Sequence, residues 1–85
     1  MKVLCFLDDT GVSEIQVSII KELQKKYKKI EFSLIDGKND GELNRKYNIK
    51  ELPSIIIEDE GIVKARFSGL TQKIFLERAL EQLIK

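Results

Sequence analysis

Few side chains in this sequence could carry chemistry, and the most reactive of them is a solitary Cys5 in a chain without histidine. One thiol cannot form an internal disulfide or a thiolate cage for a metal. The missing imidazoles remove the commonest general base and metal ligand together. Cys5 lies in the middle of the apolar run Val3 to Leu7, where a thiol serves as a small hydrophobe. The hydroxyls of Thr10 and Ser13 lack an imidazole to activate them, so a nucleophilic role would need an unusual lysine base. Asp8, Asp9 and Glu14 make an acidic cluster, but nothing adds the further oxygens that calcium prefers. The sequence therefore calls for no metal, no cofactor and no catalytic residue. Lys21, Lys25, Lys26, Lys28 and Lys29 crowd one segment with Glu22 among them, and the one aromatic beside them, Tyr27, belongs to an apolar stripe rather than to an exposed stacking platform. That is the pattern of a solvated helix end rather than of a nucleic-acid groove. Fifteen Lys and Arg against fourteen Asp and Glu leave a net charge of +1 on 85 residues, so no whole-molecule field holds a polyanion.

The elements that position these groups follow from the hydrophobic period. Lys2 to Leu7 is apolar on both alternations, as a central strand covered on two faces requires. Asp8 to Gly11 supply turn and capping chemistry, after which the period changes to that of a helix. Val12, Ile15, Ile19, Leu23 and Tyr27 form its apolar stripe, with Ile20 on the edge. Thr10 competes for the N-cap with Ser13, which Gln16 could close into a capping box. Ile30 to Ile35 sets Ile30, Phe32 and Leu34 against Glu31 and Ser33, the mark of an edge strand with one wetter face. A short helix over residues 41–47 uses Leu43 and Tyr47 as anchors, with Asn48 as a left-handed cap. Ile55 to Ile57 again require cover on both faces. Asp59, Glu60 and Gly61 turn this strand into a hairpin with residues 62–67. Gly69 ends the hairpin. Thr71 is placed to cap the last helix, and Leu70 and Phe75 have the spacing of a hydrophobic staple. Leu76, Ala79, Leu80 and Leu83 form that helix's core stripe, with Ile74 opposite.

The order βαβαββα describes one α/β domain over residues 1–85. A right-handed βαβ crossover makes the first two strands parallel, and a tight hairpin makes the last two antiparallel. With the doubly buried strands central, the predicted four-stranded mixed sheet has the order 2-1-3-4, the third strand antiparallel. Two helices cover one face and the short helix the other. The apolar runs are far shorter than the ~20 residues of a membrane span, so a cytoplasmic protein is expected. High Lys, Glu and Ile content with few thermolabile residues points to a thermophilic source.

From Asp36 to Ile84 the chain resembles the thioredoxin-fold superfamily at glutaredoxin size. The stretch that carries the resemblance is Asp36, then Leu43, Lys46, Tyr47, Asn48 and Ile49, then Leu52-Pro53-Ser54, the isoleucine strand, Gly61, Gly69 and an amphipathic terminal helix. It is similar to the family's strand ending in Asp, short helix ending in Lys-Tyr-Gly-Ile, cis-proline motif, hairpin and pre-helical glycine. The resemblance implies a three-layer sandwich and a cis Leu52–Pro53 bond. It also places Gly11, Val12, Ser13 and Glu14 where the family carries its CxxC redox motif, so both sulfurs are missing. What remains is a groove formed by Thr10, Gly11, Val12, Leu52, Pro53, Ser54, Gly69, Leu70 and Thr71. Main-chain groups there could pair with an extended peptide or protein segment. Its acidic rim favours neutral or basic partners. The alternative is a glutaredoxin- or thioredoxin-like electron carrier that uses a single cysteine, or a glutathione-binding protein. Asp8 and Asp9 bordering the groove oppose an anionic tripeptide. Nothing in the sequence sets an oligomeric state.

Two other chemistries fail on context. Asp9-Thr10-Gly11 matches the triplet of small homodimeric aspartic proteases, which pair two aspartates over one proton. Those folds are almost wholly β, whereas Val12 here opens a long helix. Leu7-Asp8-Asp9-Thr10 approximates the aspartyl-phosphate motif of haloacid dehalogenases, which requires one residue between the two aspartates. Capping and dipole complementarity at a helix start account for Asp8 and Asp9.

Overall fold

A computed structural model describes residues 1–85, with β1 at Lys2–Leu7, α1 at Gly11–Lys26, β2 at Glu31–Asp36, α2 at Gly41–Lys46, β3 at Ser54–Asp59, β4 at Ile62–Ser68 and α3 at Lys73–Leu83. The sheet has the order β2-β1-β3-β4. Strand β1 runs parallel to β2 and antiparallel to β3, and β3 and β4 form the antiparallel hairpin. Architecture and strand order agree with the sequence reading.

Alternation along β1 and β3 sends side chains into two cores. Val3, Cys5, Ile55 and Ile57 meet Ile19, Ile20 and Leu23 of α1 and Leu76 and Leu80 of α3. Leu4, Phe6 and Ile56 leave the other face and meet Tyr47. Phe6 and Tyr47 pack edge to face with ring centroids 5.9 Å apart, a favoured aromatic geometry. Both faces of the two central strands are thus buried, and each isoleucine so covered contributes about 1.5–3 kcal/mol.

The turns follow their residues. Glu60 and Gly61 both have positive φ, 52° and 79°, the backbone of a two-residue hairpin loop that suits the twist of the strands. Asn48 takes the left-handed conformation after α2, with φ 54°. Asp40 caps α2 by accepting from the Leu43 N–H at 3.1 Å.

Three expectations are corrected. The inward stripe of α1 holds Ile19, Ile20, Leu23 and Tyr27 as read but differs in its first turns, where Val12 and Ile15 are 46% and 52% exposed while Ser13 and Gln16 are buried. Thr71 does not cap α3. The N-cap is Gln72, without a side-chain bond, so Leu70 and Phe75 lose the staple register and both are exposed. Leu34 is exposed as well, on β2 at the edge of the sheet.

Candidate functional site

The loop between β1 and α1 is built by one carboxylate. Asp8 accepts from the Thr10 N–H at 3.1 Å, from Thr10 Oγ1 at 2.6 Å and from Ser13 Oγ at 2.7 Å. Its own N–H donates to Ser13 Oγ at 3.0 Å. Thr10 is the N-cap of α1 and accepts from the Ser13 N–H at 3.3 Å. The hydroxyls of Thr10 and Ser13, followed by the Thr10 N–H, hold the Asp8 carboxyl below its usual range. Ser13 is 1% exposed, with its hydroxyl engaged on both sides. It is therefore a structural serine rather than a nucleophile. Gly11 and Glu14 bracket this turn from the surface, and a Cβ added at Gly11 would meet no atom within 4 Å.

The Leu52–Pro53 peptide bond is cis, and Pro53 is buried. Its carbonyl accepts from the Gly69 N–H at 2.8 Å, so the start of β3 and the end of β4 lie edge to edge at this end of the sheet. Gly69 has φ 79°, which favours glycine here. Two residues on, the Thr71 N–H donates to Gln16 Oε1 at 2.8 Å, and Gln16 Nε2 donates to the Thr71 carbonyl at 3.1 Å. Gln16 is fully buried, and its amide pairs with Thr71 as another strand would. This clasp holds the residue 69–71 segment against α1. Through it, Pro53, Gly69 and the first two turns of α1 become one assembly.

The sequence-predicted groove residues and the two remaining positions of the missing motif, Ser13 and Glu14, divide into two sets. Of the groove, Thr10, Gly11, Val12 and Leu70 are exposed, as is Glu14, and Leu52 and Gly69 are half-buried. Pro53, Ser54 and Thr71 of the groove are buried, with Ser13, and support the surface set from beneath. Ser54 Oγ donates to the Glu51 carbonyl at 2.6 Å, and Thr71 Oγ1 donates to the Gly69 carbonyl. The main-chain N–H and C=O groups of Leu52 and Leu70 have no partner within the chain. Asp8 and Leu52 also share the wall of a hollow with Gly37. Glycine fits closely at 37, where a Cβ would stand 3.1 Å from the Leu7 carbonyl oxygen and push against the Leu52 methyls. Gln16 was missed by sequence reasoning, which offered it only as a capping-box partner. A polar residue on the inner side of an amphipathic helix was the available signal.

Cys5 is fully buried within the larger core, and burial pushes its thiol up to about 12. No group of three or more Cys, Asp or Glu side chains converges to hold a metal.

Several solved structures superpose on the whole of this arrangement. Thioredoxin-2, described as a component of malaria parasite protein secretion machinery, is 25% identical over 95% of this chain and 81% of its own, with a TM-score of 0.89. Thioredoxin from Trypanosoma brucei brucei is 20% identical over 98% of this chain and 74% of its own, with a TM-score of 0.89. Thioredoxin 1 from Thermosipho africanus is 20% identical over 99% of this chain and 94% of its own, with a TM-score of 0.88. The chain is a thioredoxin-fold protein. No protein-family model and no curated protein sequence matches it. Within the thioredoxin fold, the loop before α1, the Leu52–Pro53 bond and Gly69 share one end of the sheet. No helix is long and apolar enough to cross a membrane.

Proposed function

We propose that this thioredoxin-fold protein is a redox-inactive module that binds an extended protein or peptide segment along its cis-proline groove. The observation that carries this reading is the unpaired main chain of Leu52 and Leu70 on either side of the Pro53–Gly69 bond. An extended segment can complete those bonds as an added strand would. Val12, Ile15 and Leu70 offer exposed apolar contacts at the same end, and Asp8, Asp9 and Glu14 favour neutral or basic residues in the partner.

Redox inactivity is supported by the residue types. Gly11 and Glu14 stand where the thioredoxin resemblance places the two sulfurs, and the one thiol present is buried with its ionisation opposed. The thioredoxin names of the similar structures are compatible with a one-cysteine electron carrier without favouring it. Insulin reduction with dithiothreitol tests this half: turnover no higher than that of Cys5→Ala is expected, and turnover above that control overturns it. For the groove, peptides selected from an extended-peptide library should shift the amides of residues 10–14, 52, 54 and 69–71. Selected binders that leave those amides unmoved would remove the groove as the site.

A further inference from the structure

On the face of the sheet opposite α1 and α3, the short helix α2 covers only part of the strands. Tyr47, just past its end, stands between two hollows of about 510 and 310 Å3, and Lys2, Lys46, Tyr47 and Glu58 line both. Tyr47 and Glu58 are each more than nine-tenths buried, and the phenol donates to Glu58 Oε2 at 2.9 Å. That is the only hydrogen bond made by the carboxylate, and none of the chain's ion pairs includes it. An ionised carboxylate accepts about four bonds and is costly to bury with fewer.

Lys2 and Lys46 line the same walls without closing on it; Glu60 adds a second carboxylate at the rim of the larger hollow, and the Met1 ammonium is already paired with Asp59. Lys2 is the register partner of Glu58 across β1 and β3, so the two side chains leave the sheet on the same face. The Lys46 ammonium rests 5.3 Å from the centroid of the Tyr47 ring. Opposite charges that line one hollow and remain unpaired leave matching positions for a ligand that carries both signs. The larger hollow lies within the ~300–1,000 Å3 usual for small-molecule sites. Met1 and Val63 add apolar wall.

We infer that this hollow binds a small zwitterion of the α-amino acid or dipeptide class with an apolar side chain. The ligand ammonium donates to Glu58, its carboxylate lies between Lys2 and Lys46, and its side chain packs on Met1 and Val63. This site is on the other face of the sheet from α1 and is independent of the groove.

Amide NMR titration with L-leucine and glycyl-L-leucine tests it, with 3-methylbutylamine and 4-methylpentanoate as probes carrying one charge each. Saturable shifts at Lys46, Tyr47, Glu58 and Gly61 are expected for the zwitterions, with binding about tenfold weaker for either single-charge probe. Glu58→Gln keeps an acceptor for the Tyr47 hydroxyl and should weaken zwitterion binding about tenfold or more. Lys46→Ala alters an exposed side chain and should weaken it similarly, which separates ligand contact from loss of fold. The inference is overturned by the absence of saturable shifts up to about 10 mM probe, by shifts confined to other residues, by equal binding of one single-charge probe, or by unchanged affinity in Lys46→Ala.

Discussion

Replacing Gln16 tests whether a buried side-chain amide holds the proline end of the sheet to α1. In Gln16→Met the chain length and volume are nearly kept, while both bonds to Thr71, at 2.8 and 3.1 Å, are lost. Thr71 is 8% exposed, so water reaches its N–H and C=O poorly. Each unmet group then costs about 1–3 kcal/mol, and the pair together about 2–6 kcal/mol. Gln16→Ala adds a cavity of several missing atoms and should lose about 1–2 kcal/mol more. Domains of this size are stable by roughly 5–13 kcal/mol, and each kcal/mol moves the melting temperature by about 4–8 °C. The Met variant should therefore melt at least about 8 °C below the parent. Gln16→Glu supplies a sharper version. Its carboxylate accepts from the Thr71 N–H but turns a second oxygen toward the Thr71 carbonyl, so the folded state favours the protonated acid. The folded carboxyl is then raised, and stability lost at neutral pH should return as pH falls through that raised value. Urea unfolding followed by circular dichroism, with hydrogen exchange at the Thr71 amide, measures all three variants. A Met variant within about 0.5 kcal/mol of the parent, or unchanged protection at Thr71, would refute the clasp.

Three further outcomes are expected. The double variant Gly11→Cys and Glu14→Cys should acquire dithiol activity in insulin reduction, since both positions are exposed and Gly11 has open space for a side chain; an inert, oxidisable pair would displace the missing-motif assignment. Native Cys5 should resist iodoacetamide near pH 8 and react only after unfolding, because a thiol at about 12 is ionised to roughly one part in ten thousand there; rapid labelling of the folded chain would contradict its burial. The Asp8 carboxyl should titrate below 3.8. A depressed carboxyl binds fewer protons when folded, so its stabilisation is complete above the ordinary carboxylate value and disappears as pH falls through the folded one. Acid unfolding curves should accordingly be shallower in Asp8→Asn, and an Asp8 carbon shift with a midpoint at or above 3.8 would reject the capping network.

Much of this fold could be read from residue order. The runs Val3–Leu7 and Ile55–Ile57 are apolar on both alternations, and only two-sided cover satisfies such strands. With a right-handed crossover and a hairpin turn at Glu60-Gly61, few sheet orders remain, and the observed one was among them. The resemblance over residues 36–84 pointed to the same arrangement from its own spacings.

The inner face of α1 was another matter. Period and polarity favoured Val12 and Ile15 as inward residues, yet Ser13 and Gln16 are buried in their place. Gln16 becomes the better core choice because distant main chain arrives to bond it, as Thr71 does across 55 positions of sequence, whereas Ser13 is held locally by Asp8. The shift of the α3 cap from Thr71 to Gln72 has the same origin, because the Thr71 N–H and C=O are already engaged with Gln16. Asp8, read as capping and dipole complementarity at the helix start, is instead the centre of a local network with Thr10 and Ser13. Local periodicity, set by the covalent chain, determined which segments are strands and helices. That Gln16 faces inward was decided by a long-range main-chain partner, Thr71, whose position exists only after the elements have packed.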